Sequence, residues 1–440
     1  MKSLANSQIW QNIIATDWNL DCIIKKMQDP LTFYENRPVI VSAKELKEKK
    51  LLDFNGHKMA VKLNNKEIVI KKKQIASIID STHAQLKKNL TEDQNDPVCQ
   101  YLQAEWQRYD NLKNKNEFGF FVFYFDRVGN FESVVHFPEL PIFKLALTCS
   151  GSQLYQDDEY QMSWYQTRSI LNNAHVLVAG ASVASLAAST LVRDGRIGYL
   201  SIGDPKGPNA TNFNRTAYDC LDVANGESKA IAFARQMHRQ DPTQIIYLEK
   251  NGFNEENVNI FLSGSETRKK IDVVLEAIDN IQEKIRLLKI AQRNQIPLIQ
   301  IADIGSKAAL SFNDSKSKSL VFGLNDNRLK KILENDFLLA AAYFLGLDNA
   351  TDGELGRYLQ GKKNTPFGQA TPQLGSTASV AAGMCAEHVI RYLINTNSNK
   401  CFNHRRIIFD KKRIIALVQN YPSVKTLVID LFLTLKKRFQ

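Results

Sequence analysis

The spacing of apolar and polar positions changes character along the chain. After His175, the run Val176–Ala179 is wholly apolar, the pattern of a parallel strand covered on both faces. Gly180 opens a turn, Ser182–Val192 reads as a helix rich in small residues, and a second strand, Ile197–Ile202, leads to Asp204. This is a βαβ unit. The start of its helix offers backbone N–H groups that lack partners and favour an anion. A further apolar run, Val273–Ile278, ends at Asp279, and helical periodicity covers Ser228–Arg239 and Ile281–Ala291. Strand ends in an open parallel sheet share one crevice, so Asp204 and Asp279 are expected along the same edge. The pattern predicts an α/β fold, with a Rossmann-like, mostly parallel sheet covered by helices on both faces.

The first 150 residues have a different texture. Val61–Ile70 reads as a hairpin turning at Asn64-Asn65, and Phe118–Phe125 as a buried strand paired with Val134–Phe137 across Gly129-Asn130. Residues 1–150 are expected to form a smaller α+β accessory domain. Gly151–Glu159 is polar and suits a linker, and residues 160–398 are expected to form the main α/β domain. Within it, Asn313–Pro372 is polar and broken by glycines around one apolar helix, Leu333–Leu345. Residues 399–440 are read as a basic C-terminal segment. Leu427, Leu431, Phe432 and Leu435 there make Val424–Phe439 an amphipathic helix.

Composition narrows the picture. A chain of 440 residues with 44% hydrophobic content can hold two or three domains. The net charge of +11 is local: residues 391–440 carry 11 Lys and Arg against two Asp. That tail could meet an acidic partner or nucleic acid, but a solvated basic face is the favoured reading. The longest apolar runs, FGFFVFYF and LVIDLFLTL, are too short to span a bilayer, and no signal-peptide pattern opens the chain. Six scattered cysteines fit a reducing, cytoplasmic setting. None form a C-x-x-C pair, so no zinc is expected, and Cys385 falls in an apolar helix pattern. His175 and His388 read as structural.

The candidate chemistry follows Asp204. Asn212 and Arg215 lie in TNFNR, and Lys229 opens the next helix. Arg offers a planar fork to phosphate oxygens and Lys a mobile point charge. Each residue also has a plainer explanation. Asp204 could form a turn before Pro205, Arg215 and Lys229 could be solvated, Asn212 and Asn214 could shape their loop, and Asp279 could cap the helix after it.

The order of glycine turn, Asp204, N-x-x-R, Lys229 and Asp279 resembles the ThiF/MoeB/HesA adenylating family, with its ubiquitin-activating-enzyme-like fold and, in some bacterial members, a G-x-S-V-G loop. The likeness covers about Tyr165–Phe312, and PQLGSTASVAAGMCAEHVIRYL (Pro372–Leu393) looks like the family's late helix. The resemblance implies binding of ATP with Mg2+. Gly180 and Ser182 would sit at the phosphate loop, and Asp204 would hold the ribose. Asn212, Arg215 and Lys229 would hold phosphates, while Asp279 would bind the metal and orient the α-phosphate. Arg215, Lys229 and Asp279 are then the catalytic set. The implied reaction activates a carboxylate, on a peptide or small carrier protein, as an acyl-adenylate. No cysteine lies between Leu221 and Met384, so no thioester relay is expected. A homodimer is implied, with Arg168 as the closest match to an arginine lent across subunits, and Asn313–Pro372 includes a loop that crosses the site.

The chain departs from the family at several points. The family's loop is usually richer in glycine, and Ala184 and Ser185 put side chains where backbone should approach phosphate; Lys206 replaces an acidic residue, and Thr216 replaces Gln. These changes keep an alternative open, a catalytically eroded homologue serving as a partner or scaffold subunit. A nicotinamide oxidoreductase built on the same βαβ unit is a third reading, opposed by Asn212, Arg215, Lys229 and Asp279, which suit a triphosphate with a metal.

Overall fold

A computed structural model describes residues 19–48, 58–63, 66–71, 119–137, 164–195, 197–304, 307–313, 373–394, 405–410 and 415–420, with isolated positions at 73–79, 103–111 and 144. The linker Gly151–Glu159, residues 314–372 with the helix Leu333–Leu345, and the amphipathic helix Val424–Phe439 lie outside the described residues. The chain divides into two compact units, residues 1–173 with 235–245, and residues 174–234 with 246–440. Among the described residues, no helix is long and apolar enough to cross a membrane.

The first unit begins with α1 (Leu20–Lys26), capped by the Asn19 side chain, which accepts from the Cys22 N–H at 3.1 Å. β1 (Val39–Ser42) leads directly into α2 (Ala43–Glu48). The expected hairpin is present as β2 (Lys58–Leu63) and β3 (Lys66–Lys71), paired antiparallel with Leu63 opposite Lys66. β4 (Phe120–Phe125) and β5 (Phe131–Phe137) form the second expected pair, and β4 sits centrally in a sheet of order β1-β4-β5. The central position explains why β4 is apolar at successive positions: both of its faces are covered, and Phe120, Phe121 and Phe123 are fully buried. Phe121, Phe123 and Phe125 join Val41, Leu46 and Ile68 in one core. α3 (Trp164–Asn172) carries Arg168, which is fully buried.

The second unit opens with β6 (His175–Ala179), α4 (Val183–Thr190) and β7 (Tyr199–Gly203), the expected βαβ unit. α5 (Cys220–Asn225), α6 (Lys229–Gln240), whose residues from Arg235 onward belong to the first unit, β8 (Ile245–Glu249) and α7 (Val258–Ser263) follow. Next come β9 (Val273–Glu276), α8 (Ile281–Arg293) and the antiparallel pair β10 (Leu298–Ile304) and β11 (Lys307–Asn313). α9 (Gly375–Ile394) buries Ala378, Ala381, Ala382, Cys385, Val389 and Leu393, a helical stripe. It packs on α4, whose buried face is also alanine-rich, so the two helices approach closely. β12 (Arg405–Asp410) and β13 (Ile415–Asn420) complete an eight-stranded sheet of order β13-β12-β11-β10-β9-β6-β7-β8. β6 pairs parallel with β7 and β9, and β9 with β10, while β11, β12 and β13 extend the sheet antiparallel. The first part of the basic tail is therefore strand paired into the sheet.

β6 is flanked by β7 on one side and β9 on the other, so successive connections leave in opposite directions there. That reversal opens a crevice at the carboxyl ends of the strands. Gly180 stands at its floor with φ +91°, its N–H bonded to the Gly203 carbonyl at 2.8 Å. A Cβ at this position would lie 2.7 Å from the Ala277 carbonyl oxygen of the neighbouring strand end. Gly180→Ala is expected to destabilise the protein by about 1–3 kcal/mol, from the disfavoured φ and the clash together. Urea denaturation measures this as a lowered midpoint, and an unchanged midpoint would mean that the turn relaxes freely.

Candidate phosphate-binding site

The residues singled out by spacing converge at the crevice. Asp204 follows β7 and is buried. Its Oδ2 accepts from the Ala181 N–H at 2.8 Å and its Oδ1 from the Lys206 N–H at 2.9 Å. Lys229, at the start of α6, brings its Nζ to 3.8 Å from Asp204 Oδ2, and both side chains are buried. Asp204 thus ties the turn after β6 to the first residue of α6. A bound ribose would have to share a carboxylate already engaged at both oxygens. Burial lowers the Lys229 pKa; Asp204 and Asp279 oppose this, while Lys206 and Arg215 add to it.

In the turn, the Gly180 N–H is bonded to the Gly203 carbonyl, the Ala181 N–H to Asp204, and the Ala181 carbonyl accepts from the Tyr218 hydroxyl. Ser182 is the N-cap residue of α4 and makes no side-chain cap bond, so its hydroxyl does not occupy the helix end. That hydroxyl meets Arg215 Nε at 3.3 Å. Ser185 folds its hydroxyl back onto the Ser182 carbonyl at 2.7 Å.

Asn212 is buried and accepts from the Asn209 N–H at 3.0 Å, half of a capping box that fixes the loop. Its carbonyl accepts from the Arg215 N–H and the Thr216 hydroxyl. The loop in turn holds Arg215, whose Nη1 donates to the Thr211 carbonyl at 2.6 Å and to Asn214 Oδ1 at 3.1 Å. Asn214 Nδ2 donates to the Gln373 carbonyl at 2.8 Å. A side chain at Gly375, the first residue of α9, would collide with the Asn214 carbonyl. Partial burial lowers the Arg215 pKa, opposed by Asp303 and Asp279.

Asp279 is free of capping duty. The N-cap of α8 is Asn280, which accepts from the Gln282 and Glu283 N–H groups at 2.9 and 3.2 Å. The Asp279 side chain is 83% exposed, with Lys206 Nζ at 3.8 Å from its Oδ2. Lys206 is thus a third cation at the edge beside Arg215 and Lys229.

Two features escaped the sequence reading. The first is a buried network behind Asp279. Lys284 Nζ lies 2.8 Å from both Glu276 oxygens, Gln300 Nε2 donates to Glu276 Oε2 at 3.0 Å, and the Ile278 N–H donates to Glu276 Oε1 at 2.5 Å. This network fixes the backbone immediately before Asp279. The second is Asp303, near the end of β10, whose Oδ1 accepts from Gln373 Nε2 at 2.9 Å. Its signal was visible in LIQIADI, where one carboxylate interrupts an apolar strand. Burial pushes the Asp303 pKa from 3.8 to about 6; Arg215 and the Gln373 hydrogen bond oppose this and Asp279 reinforces it.

That raised pKa carries a stability consequence. The native state holds the Asp303 proton up to about pH 6, whereas the unfolded chain releases it near 3.8, so stability present below pH 4 is lost as pH rises through 6. Asp303→Asn is therefore expected to raise stability above pH 6, by up to about 3 kcal/mol, with the gain vanishing near pH 4. Thermal melts across this range check it, and a variant less stable than the parent at pH 7.5 would contradict it.

The other titratable candidates are structural. His175 is buried with Nδ1 at 2.6 Å from the Lys269 carbonyl and Nε2 at 2.8 Å from the Ser201 hydroxyl, and burial lowers its pKa to about 3. His388 bonds its own helix through the Met384 carbonyl at 2.7 Å. Cys385 is fully buried in α9, which pushes its thiol pKa up.

Comparison with known proteins adds to this geometry. The sequence profile of the ThiF family matches residues 162–423. The tRNA threonylcarbamoyladenosine dehydratase of Escherichia coli (strain K12) is 29% identical over 136 residues, 31% of this chain and 48% of that protein. The Haemophilus influenzae protein of the same name is 28% identical over 138 residues, 31% of this chain and 50% of its own length. The matched part thus spans about half the length of these curated relatives. Among solved structures, E. coli MccB with ATP superposes with a TM-score of 0.43 at 16% identity, covering 60% of this chain and 69% of that one. PaaA gives a TM-score of 0.45 at 13% identity, covering 80% and 95%.

Proposed function

The chain belongs to the ThiF family, and from that premise we propose that it is an ATP-dependent adenylyltransferase that activates a carboxylate, at the end of a peptide or small carrier protein, as an acyl-adenylate. One observation carries this reading: Lys206, Arg215 and Lys229 gather with Asp279 at the carboxyl edge of the sheet, beside a glycine turn that leads into a helix N-terminus. Such an edge binds a polyphosphate through backbone N–H groups and side-chain cations together.

In the proposed reaction a substrate carboxylate oxygen attacks the α-phosphorus of ATP. A new P–O bond forms, the bond to the bridging oxygen of the β-phosphate breaks, and pyrophosphate leaves with that electron pair. Arg215 and Lys229 hold phosphate oxygens as charge develops on them, with Lys229 kept in place by Asp204. Asp279, exposed and not used as a helix cap, is a hard oxygen donor suited to Mg2+. When bound, the metal offsets repulsion between the incoming carboxylate and the phosphates. Most of the catalysis is then positioning and electrostatics. With Cys385 buried in α9, the acyl group is passed directly from the adenylate to an amine, thiol or sulfide.

Isotope exchange between labelled pyrophosphate and ATP tests the reaction. Exchange promoted by peptide pools with free C-terminal carboxylates, and not by the same pools amidated, is the expected result. Asp279→Ala should abolish that exchange while the far-UV spectrum stays unchanged. An intact protein that binds nucleotide but supports exchange with no carboxylate would favour a scaffold subunit instead.

A further inference from the structure

Asp303 takes no part in the assignments above, yet it is the least satisfied charged group of the site. It is 3% exposed. Gln373 Nε2 reaches its Oδ1 at 2.9 Å and its backbone carbonyl at 3.3 Å. Oδ2 is buried with no hydrogen-bond partner among the described residues. Arg215 acts on it electrostatically, but the hydrogen bonds of that guanidinium go to Ser182, Thr211 and Asn214. A buried oxygen without a partner carries a desolvation penalty that structures rarely keep without reason.

Its place in the sheet points to that reason. β10 runs parallel to β9, and the last paired residues of their ladder are Gln300 and Glu276. Three residues beyond each of these come Asp303 and Asp279, at the same carboxyl edge of the sheet. Two carboxylates beside a polyanionic nucleotide repel it unless a cation comes between them. Mg2+ uses one or two protein carboxylates and completes its shell with phosphate oxygens and water.

We propose that Asp303 supplies a second carboxylate to the magnesium ion of the nucleotide, alongside Asp279. The inference rests on the reading of this edge as a triphosphate site. It gives the orphaned Oδ2 a cation to coordinate and makes nucleotide affinity depend on the metal.

The test is calorimetric titration of the full chain with ATP, run in excess Mg2+ and again in EDTA. The parent protein should bind ATP at least 10-fold more tightly with the metal. Asp303→Asn, which keeps the acceptor for Gln373, should shrink that ratio to 3-fold or less, with ATP in EDTA bound as tightly as before or more tightly. Gln373→Ala disturbs the same pocket while leaving the carboxylate, and should keep the parent ratio. An Asp303→Asn protein with the full metal effect would overturn the inference, as would loss of the effect in Gln373→Ala alone. A parent protein that binds no ATP in either buffer would instead overturn the underlying site assignment.

Discussion

Lys229→Ala and Arg215→Ala should each weaken binding of magnesium–ATP by roughly 30- to 150-fold, the 2–3 kcal/mol expected for a lost charge-assisted contact to phosphate. The two losses have different origins. Lys229 is buried against Asp204, so removing it also leaves that carboxylate buried beside the nucleotide, adding repulsion to the lost attraction. Arg215 donates to Thr211, Asn214 and Ser182 and offsets the charge of the buried Asp303, so its loss removes these contacts together with the phosphate fork. Both variants should lower the melting temperature: Lys229→Ala by leaving Asp204 buried without its cation, and Arg215→Ala by losing three hydrogen bonds and the charge that faces Asp303. Calorimetry beside thermal melts separates the two effects, and near-parent affinity in both variants would remove these residues from the site.

The second large effect concerns stability. Lys284→Met should destabilise the protein by about 3–5 kcal/mol, because it leaves Glu276 buried without its cation. Glu276 has no exposed surface, and its carboxylate already takes the Ile278 N–H and the Gln300 amide, so it has little freedom to reach water. Adding Glu276→Gln to that variant should recover most of the loss, since two neutral groups of similar volume replace an ion pair at small net cost. The urea midpoint reports both steps. A double variant no more stable than Lys284→Met would place the contribution in packing and not in charge. Because the network fixes the backbone before Asp279, the single variant should also bind magnesium–ATP more weakly at temperatures where it remains folded.

The sequence was most readable where one physical demand dominates. His175–Ala179 and Tyr199–Gly203 are covered on both faces, so nearly every position is apolar, and the turn between strand and helix had to be Gly180 because of its positive φ and the nearby Ala277 carbonyl. Asp204, Arg215 and Lys229 were legible from spacing, since each lies at a strand end, in the following loop or at a helix start, and those places share one edge. What Asp204 touches was not legible: its bonds to Ala181 and Lys206 depend on how the two turns pack. The choice between Asp279 and Asn280 as the α8 cap was equally closed to periodicity, because either side chain suits that position. The Glu276–Lys284–Gln300 network joins two strands and a helix, and no local pattern marks such a contact. In the tail, clustered charge hid two short strands, Arg405–Asp410 and Ile415–Asn420, whose place is set by pairing with β11.

The central claim is a working triphosphate site at the carboxyl edge of the sheet. Its most direct measurement is calorimetric binding of ATP to the full chain in the presence of magnesium. Micromolar affinity, lost on Lys229→Ala and Arg215→Ala, is the result predicted. A folded protein that takes up no ATP at millimolar concentration would contradict it.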